Sequence, residues 1–288
     1  MNIQNRLTTQ RPVQRLCYWI TERESIRKKR AHRHPSPWTP DRILHEYRFC
    51  NVNREHDAVT VWIRDNVRIK YASHGANFIV PQLLMCRVYN EPSTLVHLLP
   101  FVDIGATLYT VAKLRADGHR LLRGAYMMPV HGKEGKGKST DEYYLEAVRA
   151  ATEVDWTQCG TLASVAERLV RLKGIGEFLA NQVCADLRYT PQWRDAPDWT
   201  SFVLCGPGTR RGLDRIAGIK NPTGNKTQKH YQEAMAELWD LELSDKLEAQ
   251  IMDHFIDRNN LSNCLCEWDK YERVFWGEAE QLRKYKQQ

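Results

Sequence analysis

Between residues 11 and 31 the apolar positions Leu16, Trp19, Ile20 and Ile26 recur at helical spacing with the charges on the other side, which predicts an amphipathic helix. The run HPSPWTP at 34–40 ends it, after which Thr39 offers a cap and Pro40 a first helical residue for a helix carrying Ile43, Leu44 and Tyr47. FCNVNREHDAVTVWIRDNV mixes apolar with Asn, Arg, Glu and Asp, and 80–115 reads as helical through FIVPQLLMCRVYN and LVHLLPFVDIGATLYTVAKLRADG. AYMMPV at 125–130 is the best strand candidate in a chain of low strand content. From 139 the helical pattern returns in STDEYYLEAVRAATEV and TLASVAERLVRLKGIGEFLANQVCADLRY. After a Trp/Pro/Asp loop come three more helical stretches ending at LCEWDKYERVFWGEAEQLRK. The fold class expected is mostly α, in two lobes, 1–135 and 136–288, divided in the loop at 131–140.

Composition adds a partner class. At 288 residues the chain can bury a large core. Its 42 Lys and Arg exceed its 35 Asp and Glu, and residues 1–56 hold twelve basic residues against five acids, including Arg27-Lys28-Lys29-Arg30. That excess favours a polyanion over a small neutral ligand. Eight cysteines without a CxxC pair suit neither a disulfide scaffold nor a zinc or iron–sulfur site. The start lacks a signal-peptide core and no stretch has 18 apolar residues, so a cytoplasmic location and no membrane partner are expected.

The letters GKEGKGKS at 132–139 match a phosphate-cradling loop, but that loop needs a downstream apolar strand ending in Asp, which is absent from the sequence. Asp141 and Glu142 would moreover sit where phosphates and their metal belong. The stretch reads better as a basic loop whose Lys136 and Lys138 touch nucleic-acid phosphates, with no ATP required.

LVRLKGIGEFLANQVCADL at 169–187 has the layout of two helices joined by a tight turn. Gly174 ends the first, Ile175 plugs the core and Gly176 lets the backbone turn. With Lys173 alongside, the amides of that turn suit one DNA phosphate, aided by a monovalent cation. The layout, followed by Asp198 at 24 residues past Gly174, resembles the helix–hairpin–helix DNA glycosylases. That resemblance implies a helix–hairpin–helix glycosylase-like fold, with the hairpin at about 165–187 and Asp198 in a catalytic loop. A carboxylate there would stabilise the sugar cation of N-glycosidic cleavage after the base is flipped into a pocket. Phe178 stands where nicking relatives carry a lysine, so a monofunctional enzyme that leaves an abasic site is implied, with no required cofactor. Asp186, on the second helix, either caps buried amides or is the alternative catalytic carboxylate.

A broader resemblance rests on four segments in order: YRFCNVNREHD (47–57), GIGEFLANQVCADL (174–187), CGPGTRRGL (205–213) and LCEWDKYER (265–273). Together they resemble the helical-domain family of 5-hydroxymethyluracil DNA kinases and α-glutamyl/putrescinyl thymine pyrophosphorylases. The partner implied is double-stranded DNA containing modified pyrimidines. Arg48, Asn51, Arg54 and Asp57 recur every third residue, so one helix would present them toward a polar base, with Phe178 completing the pocket. Gly206 and Gly208 would free turn amides beside Arg210 and Arg211 for a DNA phosphate or pyrophosphate. Glu267, Asp269 and Lys270 read as local ion pairs around Trp268, and Cys264 and Cys266 as packing with no metal. The function expected is a DNA glycosylase excising a bulky hypermodified pyrimidine in phage–host conflict. A transferase attaching an amine to an activated hydroxymethyl pyrimidine and a non-enzymatic modified-DNA binder remain the alternatives.

Overall fold

The computed structural model describes residues 10–122, 139–240, 257–278 and 284. Among the described residues it is helical with no β-strand. The helices, in chain order, are α1 (Pro12–Ala31), α2 (Arg42–Glu46), α3 (Ala58–Ile63), α4 (Ala76–Tyr89), α5 (Pro92–Leu98) and α6 (Ile104–Ala116). There follow α7 (Thr140–Thr152), α8 (Leu162–Arg171), α9 (Glu177–Leu187), α10 (Pro207–Ile216), α11 (Gln228–Leu238) and α12 (Arg258–Phe275). The strand candidate 125–130 and the lysines Lys136 and Lys138 lie outside the described residues.

Most elements follow the periodicity, and the departures have local causes. Helix α1 starts on Pro12 and buries Leu16, Trp19 and Ile20 completely. Helix α2 is capped by Asp41, whose carboxylate accepts from the amides of Ile43 (2.9 Å) and Leu44 (3.1 Å), in place of the expected Thr39. Asp is the stronger cap here because its oxygen reaches two free amides, while the Thr39 hydroxyl accepts only from the Asp41 amide. The expected helix across 80–115 is three helices, because Asn90 turns left-handed (φ 50°) and Pro92 and Asp103 each begin a new one. Ser139 and Glu142 cap α7 reciprocally, the Ser139 hydroxyl accepting from the Glu142 amide (3.2 Å) and the Glu142 carboxylate from the Ser139 amide (2.7 Å). The last residue of the phosphate-loop letters is thus a helix cap.

The chain forms two compact units, one of Met1–Asp57 with Val203–Gln288 and the other of Ala58–Phe202. The units are therefore not the sequential halves 1–135 and 136–288: the first is built from both ends of the chain. Its core gathers Leu16, Trp19 and Ile20 of α1, Leu213 of α10, Tyr231 and Met235 of α11, and Leu261, Leu265, Trp268 and Tyr271 of α12. The second unit packs α4 against α7 and α9 around Leu84, Tyr89, Leu145, Trp156, Val183 and Trp193.

Helices α10 and α12 touch along their backbones. A Cβ on Gly212 would lie 2.7 Å from the Leu265 carbonyl oxygen, and one on Gly208 would lie 2.3 Å from the Cys266 sulfur. These glycines are spacers for helix packing, and Gly208 lies in the first turn of α10. Gly212→Ala is therefore expected to destabilise the protein by about 1–3 kcal/mol, overpacking a backbone contact that cannot yield. Gly160→Ala, whose Cβ meets nothing within 4 Å, should stay within about 0.5 kcal/mol of wild type in the same denaturant melts.

Candidate functional site

In the first unit, α12 carries a face of buried polar residues as well as one of the four quoted segments, and two of the others, 47–57 and 205–213, pack on it. Asn260 accepts from the Arg54 amide (3.1 Å), Asn263 donates to the Asn51 carbonyl (3.1 Å), and Glu267 accepts from the Cys50 amide (3.0 Å). Loop 49–57 is thereby pinned at three points a helical turn apart on α12. From α1, the Arg23 guanidinium donates to the Phe49 and Cys50 carbonyls (3.2 and 3.1 Å) and to the Asn51 side chain (2.7 Å). Asp57 closes the loop by accepting from the Asn51 amide (2.9 Å).

This corrects the expected helix across 48–57. Only Arg54–His56 makes a helical turn, because Asn51 donates to the His56 carbonyl (2.8 Å) and Asn53 accepts from the Glu55 amide (2.9 Å). Such short-range side-chain bonds compete with a helix ladder. The residues still gather: Asn51 is half-buried, Arg54 buried and Asp57 half-buried with its Oδ2 3.9 Å from the Arg54 Nε, while Arg48 is exposed. Phe178, placed in the same pocket from sequence, is an exposed residue of the second unit.

The charges are uneven in function. Burial raises the Asp57 carboxyl above its ordinary value, against the lowering effects of Arg54 and the Asn51 amide. Lys270 pairs with Glu267; burial, the largest effect, lowers the ammonium's pKa, and the Glu267 charge together with Cys266, Cys50 and the Glu267 hydrogen bond outweighs it and holds the group above its usual value. The expectation of purely local pairs fails at Asp269. Fully buried, it takes Arg215 (2.8 Å) and Arg211 (2.9 Å) from α10 as well as Arg273 (3.6 Å) from its own helix. Arg210 turns the other way, donating to the Cys205 carbonyl (2.8 Å) and Gln228 (2.8 Å) and lying over the Tyr231 ring. No group of three or more metal-ligating side chains occurs among the described residues.

In the second unit the expected helix–turn–helix occurs. Helix α8 ends at Arg171, Gly174 is left-handed (φ 83°), Ile175 is buried and Gly176 caps α9, with Lys173 exposed. The left-handed φ requires a glycine, and a Cβ there would also meet the Tyr143 ring at 2.9 Å. The two proposed catalytic carboxylates have other work. Asp198 accepts from the amides of Leu162 (3.0 Å) and Ala163 (2.9 Å), closing the first turn of α8 from a distant loop. Asp186 is fully buried and bidentate on Arg87 (2.6 and 2.7 Å), which also donates to Thr60 (3.1 Å).

The family model of the 5-hmdU DNA kinase helical domain matches residues 10–281, and the chain belongs to that family. Among curated proteins, the 5-hmdU DNA kinase of Bacillus phage SP10 is 22% identical over 221 residues. That match covers 68% of this chain and 35% of the phage protein, so the chain spans about a third of that relative's length. No solved structure matches it. Membership of a kinase-named family overturns the excision reading: hydrolysis of the glycosidic bond, an abasic product and the catalytic roles assigned to Asp198 and Asp186 for that chemistry fall together.

The residues that sequence reasoning missed are Arg23, Asn260, Asn263 and Arg273. The signal available for the two asparagines was the polar recurrence at 260, 263, 267 and 270 beside the apolar positions Leu261, Leu265, Trp268 and Tyr271. As a cap, Asp198→Ala should cost about 0.5–2 kcal/mol of stability, while Asp198→Asn, which keeps one accepting oxygen but sets its NH2 against the other amide, should cost about half of that. Equilibrium unfolding of the two variants measures the difference.

Proposed function

We propose that this chain binds DNA carrying 5-hydroxymethyluracil and holds that base for phosphorylation at its hydroxymethyl oxygen. The observation that carries the reading is the convergence, within one unit, of loop 49–57 and α10 on neighbouring acids of α12, the loop on Glu267 and α10 on Asp269. A flipped pyrimidine presents both donors and acceptors on its edge, and Asn51, Arg54 and Asp57 supply the complementary set.

The hydroxyl that thymine lacks gives the site its selectivity. Asp57 is half-buried, and its raised pKa makes it a better base than an ordinary aspartate. In the transfer, the hydroxymethyl oxygen bonds to the terminal phosphorus of a nucleoside triphosphate, the bridging oxygen leaves with the diphosphate, and the hydroxyl proton passes to Asp57. The triphosphate replaces the expectation of no ATP, which rested on the 132–138 loop outside the described residues. The hairpin turn with Lys173 and the basic end of α1 serve the DNA backbone.

Two duplexes differing only in one 5-hydroxymethyluracil for thymine test the reading, by anisotropy titration and by label transfer from γ-labelled ATP. The modified duplex should bind about tenfold tighter, the value of one buried hydrogen bond near 1.4 kcal/mol. Asp57→Asn should abolish label transfer while still binding the modified duplex within about tenfold of wild type. Equal affinity for the two duplexes together with no label transfer would refute the proposal.

A further inference from the structure

Among the described residues, the charge pattern around Asp269 is not balanced. Three guanidinium groups surround this one fully buried carboxylate. Arg215 is matched a second time by Glu278 (2.5 and 3.1 Å) and is itself buried. Arg211 and Arg273 are not: their Nε atoms lie 2.9 Å and 3.6 Å from the same Oδ2, and their side chains are 30% and 32% exposed.

Donor counting sharpens the imbalance. A guanidinium has five N–H donors in a planar fork. Among the described residues, Arg211 donates only through its Nε, and the buried Nε of Arg273 has no hydrogen-bond partner. A purely structural ion pair would match one arginine to the carboxylate. Here two half-exposed forks are held from behind by a shared anion, at the cost of mutual repulsion that a further anion would relieve.

We propose that Arg211 and Arg273, oriented by Asp269, form a clamp for one phosphate group. A tetrahedral phosphate offers enough acceptor oxygens to engage both forks, which a single planar carboxylate does less well. Asp269 is a positioning residue, buried too deeply to meet the ligand. The phosphate has two sources with the same chemistry: a backbone diester of the bound DNA or the phosphate tail of the nucleotide donor. Only the source rests on the kinase reading; the clamp itself does not depend on recognition of the modified base.

The test uses the full chain with an unmodified thymine duplex, ATP and inorganic phosphate as separate probes, so that failed base recognition leaves it intact. Arg211→Gln and Arg273→Gln should each weaken competition by inorganic phosphate. If the clamp holds the DNA backbone, each variant also weakens duplex binding about fivefold or more and lowers the salt dependence by about one phosphate contact, with ATP affinity unchanged. If it holds the nucleotide, ATP affinity falls and duplex binding stays. Should a glutamine variant not fold, Arg211→Lys and Arg273→Lys keep the charge but lose the fork, and a loss of about threefold is expected. Folded variants that bind duplex, ATP and phosphate as wild type does would overturn the proposal.

Discussion

The first unit depends on one constraint: a core helix, α12, that carries buried acids must find each of them a cation or a donor. Glu272 is met by Arg15 of α1 (2.8 Å), Asp269 by Arg211 and Arg215 of α10, and Glu267 by Lys270 and the Cys50 amide. Removing one partner from such a buried pair leaves an uncompensated charge and costs on the order of 3–5 kcal/mol, so these pairings fix register as well as charge. Close approach makes them possible, since only Gly208 and Gly212 let α10 bring its arginines to the α12 carboxylates. The chain's two ends are joined in this way, and loop 49–57 acquires its shape from the same helix.

The second unit uses its acids similarly. The Arg87–Asp186 pair stands in the core between α4 and α9, and Asp198 ties a loop to the start of α8. A carboxylate that accepts two backbone amides, or two guanidinium nitrogens, has its lone pairs committed to the fold. Its type and spacing alone did not distinguish this from catalysis.

That distinction marks what the sequence made legible. The helical class, the apolar face of α1 and the glycine turn at 174–176 all follow from local rules, and the structure has them. The four quoted segments point to the family that the match over residues 10–281 shows. What could not be read was whatever depended on partners distant in sequence. The three-residue spacing of Arg48, Asn51, Arg54 and Asp57 imitates a helix although Asn260, Asn263 and Glu267, more than two hundred residues on, hold the segment as a loop. Gly208 looks like a turn residue until Cys266 lies against it. Asp198 falls at a glycosylase-like distance from Gly174, yet its carboxylate reaches back to residues 162 and 163.

The central claim is that the loop pinned by α12 meets the modified base. Amide hydrogen exchange of the full chain, with saturating 5-hydroxymethyluracil duplex and with saturating thymine duplex, tests it most directly. The account predicts added protection across 49–57 that is greater with the modified duplex, alongside protection at 172–178 that is the same with both. Protection confined to the hairpin, with 49–57 exchanging as in the free protein, would contradict it.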